Sequence, residues 1–74
     1  MSREEFIIFI KSIGFTTSHS IQEYKEFIIY LRPNYYHFYN GSKWIRNIDY
    51  NDLTPFNKYL KRELRSIKLK KILG

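Results

Sequence analysis

The densest set of chemically competent side chains in this 74-residue chain is basic and lies near its C-terminus: Lys58, Lys61, Arg62, Arg65, Lys68, Lys70 and Lys71. Arginine can clasp a phosphate through two parallel N–H bonds, whereas lysine acts as a mobile point charge. A solvated helix face usually mixes both signs, and here Glu63 is the only acid among seven bases. That imbalance favours an acidic partner, above all a nucleic-acid backbone, over a face that merely keeps the chain soluble. A membrane surface is the weaker alternative, because the apolar side of the same helix is needed for the chain's own core.

The second set is aromatic. Tyr35, Tyr36, His37, Tyr39 and Trp44 have the make-up of a platform on which unstacked bases lie. Tyrosine-rich patches also serve as anchors in protein interfaces, and a sheet under helices needs one aromatic face for its core. Tyr35, His37, Tyr39 and Trp44 are therefore candidate aromatic interface residues, with core or interface the safer assignment for the set.

Signatures of catalysis are sparse. The chain has no glycine-rich phosphate loop, no paired histidines at metal spacing and no carboxylate–histidine cluster. His19, between Ser18 and Ser20, has the type of a general base or ribonuclease histidine, yet no positioned partner is evident, which leaves a solvated loop residue as the simpler reading. His37 sits in a tyrosine-rich strand and reads as a packed or edge residue. The expectation is a non-enzyme without catalytic residues, metal site or cofactor.

Elements that position these side chains follow from spacing. Ser2 and Glu5 form a capping box, and Phe6, Phe9, Ile10 and Ile13 then fall on one helical stripe that Gly14 ends. Ile7 and Ile8 make that stripe wider than one packing face requires. Residues 16–20 are polar and predict a loop. Gln22 to Arg32 is β-branched and aromatic enough for one strand, broken by Pro33-Asn34. Tyr35 to Tyr39 and Lys43 to Ile48 predict two more, joined at Asn40-Gly41, the strongest short hairpin signal. A two-residue Asn40-Gly41 loop would set His37 opposite Trp44 and Tyr36 opposite Ile45, and a three-residue loop would shift that register. Thr54 as N-cap and Pro55 at the first helical position start a final helix. Its apolar set is Phe56, Tyr59, Leu60, Leu64 and Ile67, and Leu69 falls on the wrong side of the wheel, so a bend or end is expected near Ser66. Residues 67–74 are open to helix, strand or tail. The expected fold is α+β, in the order α-β-β-β-α, with a three-stranded antiparallel meander sheet packed against two helices in one domain, 1–74.

Composition bounds what this fold can be. The absence of cysteine removes both disulfides and thiolate zinc sites. The longest apolar run, Phe6 to Ile10, is far below the ~20 residues that cross a bilayer. Alanine and valine are absent while isoleucine appears eleven times and phenylalanine plus tyrosine thirteen, so a few large side chains must build the core. Residues 1–52 carry six bases and six acids, and the whole net charge of +6 sits in the last 22 residues. A cytoplasmic protein without membrane insertion is expected, and homodimerisation is compatible with the sequence.

The order α-β-β-β-α with a basic second helix resembles the double-stranded-RNA-binding domain and the HicA-type toxins. In HicA-type toxins the first helix ends in a Gly-Phe similar to Gly14-Phe15, and a Gly-Ser-His opens a strand; Ser18-His19 matches its last two residues, earlier in the chain and without the glycine. The resemblance implies RNA binding and, through His19, a ribonuclease as a minor alternative. In style, being tiny, cysteine-free, aromatic and rich in residues of AT-rich codons, the chain is also similar to small phage-encoded inhibitors of host defence, including anti-CRISPR proteins. The expected function is thus a non-catalytic regulator or inhibitor of a phage or mobile element, acting on a nucleic acid or nucleoprotein complex through its basic helix. The alternative is an inhibitor or adaptor that grips a host protein through exposed tyrosines and the first helix.

Overall fold

The computed structural model describes the backbone of residues 1–18 and 20–73 and the side chains of residues 1–16 and 20–67. His19 lies outside the described residues, as do the side chains of Lys68, Lys70 and Lys71.

Helix α1 (Arg3–Ile13) begins at the predicted capping box. The Glu5 N–H donates to Ser2 Oγ (3.2 Å) and the Ser2 N–H to Glu5 Oε1 (3.0 Å). These bonds hold the Glu5 carboxyl below its usual range. Gly14 ends the helix at φ 128°, its N–H shared between the carbonyls of Ile10 and Lys11. An added Cβ there would lie 2.9 Å from the Tyr24 ring, so both backbone and packing require glycine.

Five antiparallel strands follow, each paired with its neighbour in sequence: β1 (Thr16–Ser18), β2 (Ile21–Tyr24), β3 (Phe27–Leu31), β4 (Tyr35–Tyr39) and β5 (Trp44–Asp49). The α+β class and the antiparallel meander stand, while the strand count is corrected from three to five. Thr16–Ser18, read as loop, pairs with β2 in the register Thr17↔Gln22. The segment 22–32, read as one strand, folds back on itself at Lys25-Glu26, with Tyr24 opposite Phe27. No glycine or asparagine marks this turn, and Lys25 itself takes the left-handed conformation, φ 52°.

The β4–β5 register is also corrected. Asn40-Gly41 does mark the reversal, but the turn centre is Gly41-Ser42, with the Asn40 N–H donating to the Lys43 carbonyl (3.0 Å). Asn40 Oδ1 braces the loop by accepting from the Lys43 N–H (2.8 Å), as short polar side chains do in turns. Tyr39 therefore faces Trp44 and Phe38 faces Ile45. Past that point a bulge slips the ladder by one residue, so that Tyr36 faces Ile48 and Arg46 and Asn47 together oppose His37. Asn47 adopts φ 55°.

Two further helices close the fold, α2 (Thr54–Tyr59) and α3 (Lys61–Leu73), so the helix count is corrected from two to three, the expected final helix being divided. Thr54 is the first helical residue rather than the N-cap, and its amide and hydroxyl both donate to Asp52 Oδ1 (3.0 and 2.6 Å). These bonds keep the Asp52 carboxyl below its usual range. The expected break near Ser66 lies six residues earlier, at Leu60 (φ −126°, ψ 34°), and helix continues through Leu73. Burial decides the position: Leu60 is packed in the core beneath α2, and the chain must turn there for Leu64 and Ile67 to reach the same core.

All three helices lie on one face of the sheet. The core between them is aromatic, with Phe6 4.5 Å from Tyr36 and Phe38 5.5 Å from Phe56, centroid to centroid. Phe56 contacts the rings of Phe6, Phe9, Phe15, Tyr36 and Phe38 within 6.4 Å and is fully buried. Tyr36, equally buried, donates its hydroxyl to the Asp52 carbonyl (2.6 Å), and burial pushes its phenol well above the ordinary range, so it remains a donor at all ordinary pH. Tyr50 in turn donates to the Arg32 carbonyl.

Candidate nucleic-acid interface

Two surfaces gather the residues singled out by sequence, and the sheet separates them.

The first is the exposed side of α2 and α3. Lys61, Arg62 and Arg65 occupy positions i, i+1 and i+4 of α3 and are all exposed. Glu63, the only acid of the basic segment, is turned away from them and mostly covered, with Lys25 Nζ 3.8 Å from its carboxylate. This is the only ion pair among the described residues. The neutralising charge therefore comes from the β2–β3 turn, and among the described residues Lys61, Arg62 and Arg65 have no acid paired with them. The expectation of one continuous stripe starting at Lys58 is corrected: the break at Leu60 sets Lys58 apart, leaning over the Tyr59 ring (5.4 Å) beside Ile45 and Pro55. Lys68, Lys70 and Lys71 extend the stripe by sequence only.

The second surface is the sheet face that no helix covers. Strand alternation directs Phe27, Ile29, Leu31, Tyr36 and Phe38 to the core, and Tyr30, Tyr35, His37 and Tyr39 to the opposite side. Trp44, paired with Tyr39, shares that side and is 51% exposed. The four expected aromatic residues are brought onto one face, but not as equals. Tyr35 is exposed and meets His37 edge-on at 5.4 Å. His37 is buried beneath its neighbours and forms the floor, 6.1 Å from Trp44. Tyr39 is half-buried, and its hydroxyl donates to the Gly41 carbonyl (3.0 Å), which makes it a brace for the hairpin loop.

Sequence reasoning missed three members of this surface. Tyr30 supports the indole from β3 at 6.1 Å, Arg46 lays its guanidinium over the indole at 4.1 Å, and Arg32 flanks the same groove. Arg46 was not legible because its neighbours depend on a hairpin register and a bulge that residue types do not specify. Arg32, directly before Pro33 at a strand end, carried only the signal of its position.

His37 shows what the bulge does chemically. Its Nδ1 accepts the Asn47 N–H (3.1 Å), so the ring is the Nε2–H tautomer and its basic nitrogen is committed to the backbone. Burial, then the charges of Arg32 and Arg46, hold its pKa below the ordinary value, so it is neutral at neutral pH. A general base needs that same lone pair free. Among the described residues no group of His, Asp and Glu could hold a metal ion, and no helix is long and apolar enough to cross a membrane.

No protein family, curated protein or solved structure matches this chain.

Proposed function

We propose that this chain is a non-catalytic nucleic-acid-binding protein whose α3 face contacts the phosphate backbone. The observation that carries the reading is the removal of Glu63 from the basic face by Lys25. Like charges at i, i+1 and i+4 repel one another unless something acidic lies against them, and a phosphate row supplies that partner. Lys61, Arg62 and Arg65 are the contacts on this reading, with Lys68, Lys70 and Lys71 continuing along the backbone. A regulator or inhibitor acting on a nucleic acid or nucleoprotein complex is the setting it fits.

The test is fluorescence anisotropy with labelled duplex DNA, duplex RNA and single strands. The contacts of Lys61, Arg62 and Arg65 alone give a log–log salt slope near −2.7 on a duplex, or about a 40-fold loss of affinity between 50 and 200 mM salt, and each further lysine that engages steepens it by about 0.9. The variant Lys61→Glu/Arg62→Glu/Arg65→Glu should abolish that binding while keeping its circular dichroism. Affinity that ignores both salt and the charge reversal would refute the reading.

A second reading, an adaptor that grips a host protein, draws on α1. Ile8 is 64% exposed at the edge of a groove of about 300 Å³ lined by Met1, Phe9 and Ile67. An apolar side chain so placed is what a hydrophobic partner would cover. On that reading Ile8→Glu abolishes the interaction and salt leaves it unchanged.

A further inference from the structure

The uncovered sheet face holds a groove of about 520 Å³ between Tyr35 and Trp44, floored by His37 and flanked by Arg32 and Arg46. Aromatic faces alone would suit many apolar partners. What distinguishes this groove is its charge: both charged residues lining it are arginines, and no acid lines it. An apolar or proline-rich peptide has no use for two guanidinium groups, whereas a nucleotide carries both a flat π face and an anion. The guanidinium of Arg46 already stacks on the indole of Trp44, so the groove offers a base either the free indole surface or the arginine plane. The groove is shallow and open, with its tryptophan half in solvent, so it suits a strand laid across it better than an enclosed mononucleotide.

The parts are also held in place before any ligand arrives. The Arg32 N–H donates to the Tyr35 carbonyl (2.9 Å), and the Arg32 carbonyl accepts from the Tyr50 hydroxyl, so its guanidinium springs from a fixed backbone. The indole rests between Tyr30 and His37, and the His37 ring is fixed by the Asn47 N–H. Side chains locked by their neighbours lose little entropy on binding.

We infer that this groove is a second binding site, for single-stranded nucleic acid, in which a base stacks on Trp44–Arg46 and the flanking phosphates meet Arg32 and Arg46. It shares its ligand class with the proposed function but lies on the opposite side of the sheet from α3 and uses none of its residues. A strand held here and a backbone held on α3 can be bound at once.

Trp44 is the only tryptophan in the chain, so its fluorescence reports this site and no other. The experiment titrates a pyrimidine oligonucleotide of about ten nucleotides, a length within the site sizes of single-strand binders, into the parent, into Lys61→Glu/Arg62→Glu/Arg65→Glu and into Trp44→Ala. The expected result is quenching of Trp44 in the parent and in the charge-reversal variant. Trp44→Ala should weaken binding of the oligonucleotide about 5- to 150-fold, measured by anisotropy in the charge-reversal background, and in the parent background it should leave duplex binding by the α3 face unchanged. Arg32→Gln/Arg46→Gln should lower the single-strand salt slope by about 1.4. Unchanged Trp44 emission while anisotropy reports a bound strand would overturn the inference and leave the α3 reading intact. So would full strand binding by Trp44→Ala in the charge-reversal background. Quenching by a mononucleotide at the concentration that suffices for the strand would overturn the assignment to a strand. Because Trp44 is exposed, its replacement leaves the core untouched, and circular dichroism of each variant confirms the fold.

Discussion

Phe56 is the residue on which the orientation of both surfaces turns, and its replacement tests the packing argument directly. It is fully buried, and five aromatic rings from α1, β4 and the segment after α1 surround it. A chain of 74 residues has a total stability of about 4–11 kcal/mol at the usual ~0.05–0.15 kcal/mol per residue. Phe56→Ala deletes the ring and leaves a cavity, a change that costs about 3–5 kcal/mol. The variant should therefore keep at most about three quarters of its stability, and at the lower end of that range it should not fold. Phe56→Leu keeps most of the volume and loses the edge-to-face contacts, for a cost of about 1–2 kcal/mol. In urea, with a slope of about 1 kcal/mol per molar for so small a chain, the midpoint should fall by about 1–2 M in Phe56→Leu, and by about 3 M or more in Phe56→Ala. Far-UV circular dichroism is the assay, since Trp44 lies on the far side of the sheet. Leu60 still sets the turn into α3, so folded Phe56→Leu should keep the α3 face in its place. A midpoint for Phe56→Ala within about 0.5 M of the parent would refute the claim that the core hinges on this ring.

Three further outcomes concern stability rather than binding. Lys25→Gly relieves a left-handed residue, a gain of about 0.5–1 kcal/mol, and gives up an exposed ion pair and the cation–π contact with Tyr24, each worth about 0.5; a urea midpoint within about 0.5 M of the parent is expected. Gly14→Ala forces a side chain into φ 128° against the Tyr24 ring and should cost about 1–3 kcal/mol by thermal unfolding. His37 has a folded-state pKa below its ordinary 6.5, so the unfolded chain binds the proton more readily. Its contribution to stability is complete above pH 6.5 and is lost as pH falls towards the folded value, where protonation breaks the Nδ1 bond to Asn47. His37→Gln should flatten stability between pH 7 and 5, before carboxylates titrate, and equal losses in the two proteins would contradict this role.

How much of this was legible in the residues depends on how local each signal is. The Ser2–Glu5 box and Gly14 bounded α1 because caps are read within one helical turn. The alternation through Tyr35 to Tyr39 separates Tyr35, His37 and Tyr39 from Tyr36 and Phe38, but which set meets the core is settled only by the helices that pack on Tyr36 and Phe38. The Lys25-Glu26 turn was invisible because neither residue is a usual turn former; what forces it is the pairing of Tyr24 with Phe27 and the pull of the core on Ile29. Register failed for the same reason. Asn40 announces a reversal whether it serves as turn centre or as side-chain brace, and the two differ by two residues along β5. The basic cluster was plain from composition, but the fate of Glu63 was not, since its partner lies thirty-eight positions away. The aromatic residues were found one by one. That Arg32 and Arg46 join them is a fact of tertiary structure alone.

The nearest-neighbour order of the sheet also bears on how quickly the chain folds. Each of the five strands closes against the one just made, so no ladder has to wait for a distant segment. Chain closure over short spans costs little entropy, and proteins dominated by such spans cross their barriers quickly. The slow step is then the final one, in which α2 and α3 return to meet α1, the only part of the core that joins the two ends of the sequence. Until that docking, the partly formed sheet leaves both its broad surfaces bare. The aromatic face that stays open is built from these local ladders alone, whereas the basic face depends on contacts between the two ends of the chain.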